Sequence, residues 1–280
     1  MLKKKAFAKI NLFLQAVGKQ SNYTQINTVF AEIDLFDELT FELHRSEKIE
    51  FFCDIAALND QSNLVFRVAN YIKKVYAVEQ GAKISLYKNI PTSAGLGGGS
   101  SDAATTIDAL SYLWNLKIPK ERKEQIANQF GSDITFFLYG GTCKGSGTGT
   151  LVEPINFPTI ENILLVKPPI EISSGYAYSL IKEYHASENW SRFLAEKDIQ
   201  LCFNDLEKGI CKRFNIVQQT IDELKEFGPK SVILSGSGPT VIGFFETNED
   251  LKLAKKFFEN RKFWVYKTKT KRRNNEHYKS

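Results

Sequence analysis

The sequence predicts an α+β protein built in two halves, and three observations carry that reading. Strand-like runs and helical patterns are mixed without strict alternation. Pro154 and Pro158 bracket a break after which the pattern restarts. Between them in importance stands a glycine-rich segment that joins an apolar strand directly to an amphipathic helix. The division expected is an N-terminal domain over residues 1–155, a C-terminal domain over 156–268 and a basic tail over 269–280.

The elements follow in order. Residues 6–14 alternate, with Ala8, Ile10, Leu12 and Leu14 on one face and Phe7, Lys9, Asn11 and Phe13 on the other, which is the period of a strand. The lysines at 3–5 suit a signal peptide, but Lys9 and Asn11 interrupt any apolar core for one, so this start reads as a first strand. Strand-like runs follow at 27–35, 38–44 and 48–53. A helix is expected from about Ser62 to Val78, its apolar stripe being Leu64, Val65, Val68, Ala69, Ile72 and Val75. A strand at 82–87, the glycine segment, and helices at 101–115 and 119–130 complete the first half. The second half reads as strands at 162–167, 231–235, 240–246 and 262–268, with helices near 173–184, 190–196, 204–211, 215–227 and 249–259.

Composition narrows the function classes. A hydrophobic fraction of 42% beside 25% charged residues is that of an ordinary folded chain, and 280 residues can bury a large core. No apolar run approaches the ~18 residues of a membrane span. The four cysteines, at 53, 143, 202 and 211, form no C-x-x-C pair and read as reduced thiols of a cytoplasmic protein. From Lys267 to Ser280 there are six basic residues and one acidic one, which accounts for the whole net charge of +5. A basic tail on a neutral body is a solvated terminus rather than a nucleic-acid footprint.

Residues 88–104 carry the chemistry. Glycines at 95, 97, 98 and 99 strip side chains from a loop. Ser100, Ser101 and Asp102 supply helix-capping types, and Ala103, Ala104, Ile107, Leu110, Leu113 and Trp114 continue as a helix. Bare backbone feeding a helix N-terminus presents convergent N–H groups and the positive end of a helix dipole, a cradle for phosphate. A flexible linker has the same composition but does not run from a strand into a capped helix. The segment is not a Walker A loop, since no Gly-Lys-Ser/Thr closes it, and not a dinucleotide fingerprint, since its third glycine position falls on Ser100.

Three further positions read two ways. Lys9 is an exposed edge lysine or a functional cation. Asp133, in Gly131-Ser132-Asp133-Ile134-Thr135-Phe136-Phe137, is a turn aspartate or a proton acceptor. Ser235-Gly236-Ser237-Gly238-Pro239-Thr240, between two apolar runs, is a tight turn or a second functional loop.

The run from Pro91 through Gly95-Leu96-Gly97-Gly98-Gly99-Ser100-Ser101-Asp102-Ala103-Ala104 resembles the phosphate loop of the GHMP kinases. The Ala8–Leu12, Gly131–Phe137 and Leu234–Thr240 segments resemble three further motifs of that family, in order. Asn204-Asp205-Leu206-Glu207 is similar to a segment that one branch carries in its C-terminal domain. The resemblance implies a ribosomal-protein S5-like N-terminal domain and a ferredoxin-like C-terminal domain. It implies an ATP-dependent kinase acting with Mg²⁺ on a small molecule, with no nucleic-acid or membrane partner. ATP would be held by Pro91, Thr92, Ser93, Ala94, Gly95, Leu96, Gly97, Gly98, Gly99, Ser100 and Ser101, with Asn63 and Lys88 near adenine or ribose. Asp133 would be the general base and Lys9 the catalytic cation that keeps it ionised.

The branch that matches best phosphorylates a substrate bearing cytidine diphosphate, with Asn11, Tyr23, Thr24 and Tyr178 as the substrate residues. Here the sequence departs from the pattern. The branch has Asp-Gly-Tyr-His where this chain has Ser21-Asn22-Tyr23-Thr24, so Thr24 stands in place of the histidine. Thr135 replaces the proline of the Asp133 segment. Kinases of homoserine, mevalonate or sugars, and a nucleotide sensor without turnover, are the alternatives. Tyrosines at 23 and 178 favour an aromatic substrate group, and a sensor could dispense with Lys9 or Asp133.

Overall fold

A computed structural model describes residues 1–21, 23–184 and 188–272. The strands are β1 (Leu2–Gln20), β2 (Tyr23–His44), β3 (Ile49–Cys53), β4 (Gly81–Tyr87), β5 (Thr142–Ser146), β6 (Leu151–Pro154), β7 (Ile163–Lys167), β8 (Phe203–Asn204), β9 (Ser231–Leu234), β10 (Val241–Phe244) and β11 (Trp264–Thr268). The helices are α1 (Leu64–Val75), α2 (Gly98–Leu113), α3 (Lys120–Phe130), α4 (Ile134–Tyr139), α5 (Ser174–Ser179), α6 (Asn189–Glu196), α7 (Asp205–Arg213), α8 (Asn215–Lys225) and α9 (Asn248–Asn260). They fall into two compact units. One comprises Met1–Ala8, Leu35–Pro91 and Gly97–Tyr139; the other comprises Lys9–Asp34, Thr92–Leu96 and the chain from Gly140 onward.

In the first unit β4 is the central partner. It runs antiparallel to the end of β2, Glu38–His44 facing Gly81–Tyr87, and parallel to β3. Helix α1 exists because Val65, Val68, Ala69 and Ile72 recur at helical spacing and are all buried. Asn63 caps its start by accepting from the Val65 N–H, and Lys73 and Lys74 sit in its last turn, where cations suit the dipole. Helix α2 packs against both α1 and α4. It is therefore buried nearly all round, including Ser101, Asp102, Thr106 and Ser111. Leu39, Phe41, Val65, Ala69, Ile84 and Leu110 lie in one apolar core.

In the second unit a four-stranded antiparallel sheet has the order β11-β7-β10-β9. Numbered along the chain those strands read 4-1-3-2, with α7 and α8 between the first two and α9 before the last. That is the ferredoxin-like arrangement. Leu206, Ile210, Val217, Ile221, Leu224, Leu251, Ala254 and Phe258 from these helices bury its core. The same unit holds the second part of β1, which pairs in parallel with β8 at Phe13–Leu14, and the first part of β2, which pairs with β5. Among the described residues no helix is long and apolar enough to cross a membrane.

Several expectations need correction. The runs at 27–35 and 38–44 form one strand, because Phe36 and Asp37 continue extended rather than turning. Helix α2 begins at Gly98, and its N-cap is Gly97 in the left-handed region, φ 69°, with no side-chain cap. Ser100, Ser101 and Asp102 are therefore in the first turn and do not cap. The helix expected over 173–184 is only Ser174–Ser179, started by the Ser173 hydroxyl. Strands β5, β6 and β8 and helix α4 were not foreseen, being short and without clear periodicity. Most of the basic tail lies outside the described residues.

Burial sets the first expected outcome. Ile72→Ala, at a fully buried site of α1, should lower unfolding free energy by about 2–5 kcal/mol, the usual cost of a buried aliphatic truncation. Val75→Ala on the same helix, 41% exposed, should cost less than about 1 kcal/mol. Urea midpoints of the two variants check this; equal midpoints would mean α1 does not carry core packing.

Candidate active site

The second unit places Lys9 on β1 at 4% exposure, which overturns the edge-lysine reading. Its neighbours Phe7 to Ala16 are buried on both faces of the strand or nearly so. The Lys9 backbone N–H donates to the Leu96 carbonyl at 3.0 Å, tying β1 to the glycine segment. The ammonium donates to Asn11 Oδ1 at 2.6 Å. Asn11 Nδ2 donates to Thr28 Oγ1, which donates to the Phe13 carbonyl, so this amide cannot flip without breaking two bonds. The chain fixes one orientation of the acceptor beside the cation.

Gly95 and the 234–240 loop meet through backbone. Ser235 Oγ donates to the Gly95 carbonyl at 3.1 Å. Gly95 has φ +73°, and a Cβ there would stand 2.1 Å from the Ser235 carbonyl oxygen. Gly236 has φ +52°, and a Cβ on it would meet Asn11 Oδ1 at 3.0 Å and Lys9 Nζ at 3.1 Å. Gly95 is required by both conformation and space, and Gly236 is favoured by its positive φ in a tight setting.

The first unit holds the helical end of the segment. Helix α2 leaves its first backbone N–H groups, at Gly98, Gly99 and Ser100, without intrahelical acceptors, and the next, Ser101, bonds to the Gly97 carbonyl at 2.9 Å. Those free donors at a positive dipole end suit phosphate oxygens. Gly98 is helical, so a Cβ there meets no backbone objection but would crowd Ile90, at 3.0 Å, and Lys88 Nζ, at 3.2 Å. Asn63 is the N-cap of α1, with its Nδ2 on the Leu58 carbonyl, and the adjacent Leu64 side chain approaches Gly99.

Lys88, expected near adenine or ribose, has its ammonium between two carboxylates. It pairs with Asp37 and, at 2.7 Å, with Asp102, all three groups being almost wholly buried. Asp37 Oδ1 also accepts from the Asn89 and Ile90 N–H groups, and Asp54 Oδ1 accepts from the Lys88 N–H. The segment entering the glycine loop is thus gripped by side chain and backbone together. Burial works against the Lys88 charge, but the carboxylates of Asp102 and Asp37 outweigh it and raise its pKa. Burial pushes the Asp102 carboxyl up to about 7, with the Asp37 charge adding and Lys88 opposing. Asp102 Oδ1 is a buried oxygen with no hydrogen-bond partner, a position that a neutral carboxyl tolerates better than a carboxylate. Neither Asp37 nor this role of Asp102 was foreseen; Asp37 is one of three acidic residues within 34–38 and nothing in the pattern singles it out.

Asp133 lies half-buried in the turn after α3, immediately before α4. Thr135, in the place of the branch's proline, donates its hydroxyl to Asn128 Oδ1 at 2.7 Å, so a side-chain bond ties α4 to α3. Of the expected substrate residues, Tyr23 opens β2 and is 70% exposed. Thr24 follows half-buried. Tyr178 lies on α5, half-buried against the core of the second unit. The second unit therefore gathers Lys9, Asn11, Tyr23, Thr24, Tyr178 and Thr92–Leu96, and the first gathers Asn63, Lys88, Pro91, Gly97–Ser101 and Asp133.

The Asp102 carboxyl gives a signed pH dependence. Its folded pKa lies above the unfolded value of 3.8, so between about pH 4 and 7 the folded chain holds a proton that the unfolded chain releases. Stability contributed by this group is complete below that window and falls as pH rises through it. Asp102→Asn cannot release the proton, so the Tm of the wild type should fall relative to the variant between pH 5 and 8. Parallel Tm profiles would show that Asp102 stays ionised throughout.

Family models match this chain in order: GHMP kinases N terminal domain over residues 63–141 and GHMP kinases C terminal over 197–263. A 4-diphosphocytidyl-2-C-methyl-D-erythritol kinase of Thermoanaerobacter pseudethanolicus is 39% identical, with 96% of each chain covered. One of Thermodesulfovibrio yellowstonii is 37% identical over 94% of this chain and 96% of that one. A crystal structure of 4-(cytidine 5'-diphospho)-2C-methyl-D-erythritol kinase superposes with a TM-score of 0.81 at 26% identity, covering 97% of this chain and 100% of the other. Glycine loops, ferredoxin-like sheet and end-to-end relatives agree, and the chain belongs to the 4-diphosphocytidyl-2-C-methyl-D-erythritol kinase family of the GHMP kinases.

Proposed function

We propose that this chain transfers the γ-phosphoryl group of ATP to the 2-hydroxyl of 4-diphosphocytidyl-2-C-methyl-D-erythritol, a cytoplasmic step of non-mevalonate isoprenoid synthesis. The observation that carries the reading is the 39% identity to a relative of that name over 96% of the chain. The site chemistry supports it. The free N–H groups at the start of α2 bind the phosphates, with residues 91–101 as the cradle and Asn63 beside the nucleoside, while Lys88, committed to Asp37 and Asp102, holds the segment entering the loop instead of the nucleoside. Lys9, a buried cation against a neutral amide, stabilises negative charge on the transferring group. Asp133 accepts the proton of the attacking hydroxyl. Tyr23 and Tyr178 stack on the cytosine, while Asn11 and Thr24 supply polar contacts. The domain division at about residue 155 belongs to this reading.

Mg²⁺ would accompany ATP in phosphoryl transfer and would supply neutralisation of the phosphates' charge. Among the described residues no group of three or more His, Cys, Asp or Glu side chains could hold a metal ion. We therefore assign Mg²⁺ to the nucleotide rather than to a protein cage, in keeping with its preference for few protein ligands.

ATP consumption measured over cytidine-diphosphate polyols, mevalonate and homoserine tests the substrate. Turnover confined to the cytidine-diphosphate polyol is expected, and preference for either of the others would move the chain to another branch. Asp133→Asn should keep ATP binding and lower kcat by about 10²- to 10⁴-fold, the range for a lost general base. More than a third of wild-type turnover would remove Asp133 from the mechanism. Tyr23 is exposed enough that Tyr23→Ala leaves the fold alone. It should raise KM for the cytidine-diphosphate substrate about 5- to 150-fold, from a stacking loss of about 1–3 kcal/mol, with KM for ATP little changed. An unchanged substrate KM would show that Tyr23 does not stack on the base.

A further inference from the structure

Asn204-Asp205-Leu206-Glu207 is a sequence motif without a role in the reaction proposed above. In the fold it faces the second glycine loop. Asn204 is 6% exposed, and its amide is fully engaged. Nδ2 donates to the Leu234 and Gly236 carbonyls, each at 2.8 Å, while Oδ1 accepts from the Leu206 N–H at 2.9 Å and caps α7. Glu207 Oε2 takes the Leu234 N–H at 2.8 Å. Asp205 Oδ2 accepts from the Ala16 N–H of β1 at 2.7 Å.

The other side of the gripped loop is the Lys9 site. Gly236, whose carbonyl Asn204 holds, lies so near this site that a Cβ on it would stand 3.0 Å from Asn11 Oδ1 and 3.1 Å from Lys9 Nζ. Asn204 itself sits on β8, in parallel register with Leu14 of β1, the strand that carries Lys9 and Asn11. One strand thus supplies the cation and also anchors the amide that presses the loop against it. Each part of this circuit lies in the second unit.

We infer that Asn204 is a positioning residue for phosphoryl transfer: its two N–H bonds hold the Gly236 backbone against Lys9 and so fix where the ammonium stands. The inference rests on the assignment of Lys9 as the catalytic cation. A shift of about 1 Å in such a group can cost about 10²-fold in rate without loss of binding.

A double-mutant cycle with Lys9→Met tests it in the full-length chain, reading phosphoryl transfer from radiolabelled ATP so that low rates remain measurable. Asn204→Ser keeps a capping oxygen but cannot reach two carbonyls. It should lower kcat about 10- to 100-fold with KM for ATP and for the cytidine-diphosphate substrate within about threefold. In the Lys9→Met background the same substitution should cost less than about threefold, because the cation it positions is gone. Should Asn204→Ser not fold by circular dichroism, Asn204→Asp, isosteric and still a cap, goes through the same cycle with the same criteria. A kcat within twofold of wild type, or an equal loss in both backgrounds, overturns the positioning role alone. A Lys9→Met chain as active as wild type overturns the assignment of Lys9 and this inference with it.

Discussion

A Cβ on Gly95 would stand 2.1 Å from the Ser235 carbonyl oxygen, and one on Gly236 would stand 3.1 Å from the Lys9 ammonium. The first distance is too short for any side chain, the second is tight, and both residues also adopt positive φ. Backbone packed on backbone is therefore what shapes this part of the protein. It brings Gly95 and Leu96, the second glycine loop and the Lys9 stretch of β1 against one another. Lys9 is held from three sides: its N–H on Leu96, its ammonium on Asn11, and Gly236 above. The Asn11 amide fixes the ammonium in place, with its own Nδ2 anchored on Thr28.

The first unit solves a different problem. The first N–H groups of α2 have no intrahelical acceptors, and the segment that approaches them is fixed by other means. Asp37 takes two consecutive N–H groups and a lysine ammonium, and Asp102 takes the same ammonium from within the first turn of α2. Buried pairs of this kind contribute little net stability, because desolvation offsets most of their attraction. They do define a single geometry. Removing Lys88 would leave two buried carboxylates without their cation, the costliest single loss in the cluster.

How much of this was legible depended on the range of the signal. Helix α1 announced itself through a local stripe of Val65, Val68, Ala69 and Ile72, and the glycine segment through composition and its neighbours. The passage from glycine loop to helix was legible but its cap was not: Ser100, Ser101 and Asp102 look like caps by residue type, yet Gly97 at φ 69° ends the loop three residues earlier. Lys9 read as an edge lysine from pattern alone, since period-two alternation cannot say whether the second face of a strand is covered. Asp37 and the grip of Asn204 on residues 234 and 236 are contacts across about 50 and 30 positions, and no local periodicity encodes them. Thr135 is legible only afterwards, as a hydroxyl bond to Asn128 where a proline would have imposed rigidity by its ring.

The packing of Gly95 on the second glycine loop is the constraint on which the nucleotide site proposed above depends, and Gly95→Ala probes it most directly. Calorimetric titration of a non-hydrolysable ATP analogue, with circular dichroism to confirm the fold, compares the variant with wild type. The left-handed backbone and the backbone contact predict a loss of affinity greater than about tenfold, roughly 1.4 kcal/mol or more. Wild-type affinity in a folded Gly95→Ala chain would contradict the account, because the two loops would then not need to touch for ATP to bind.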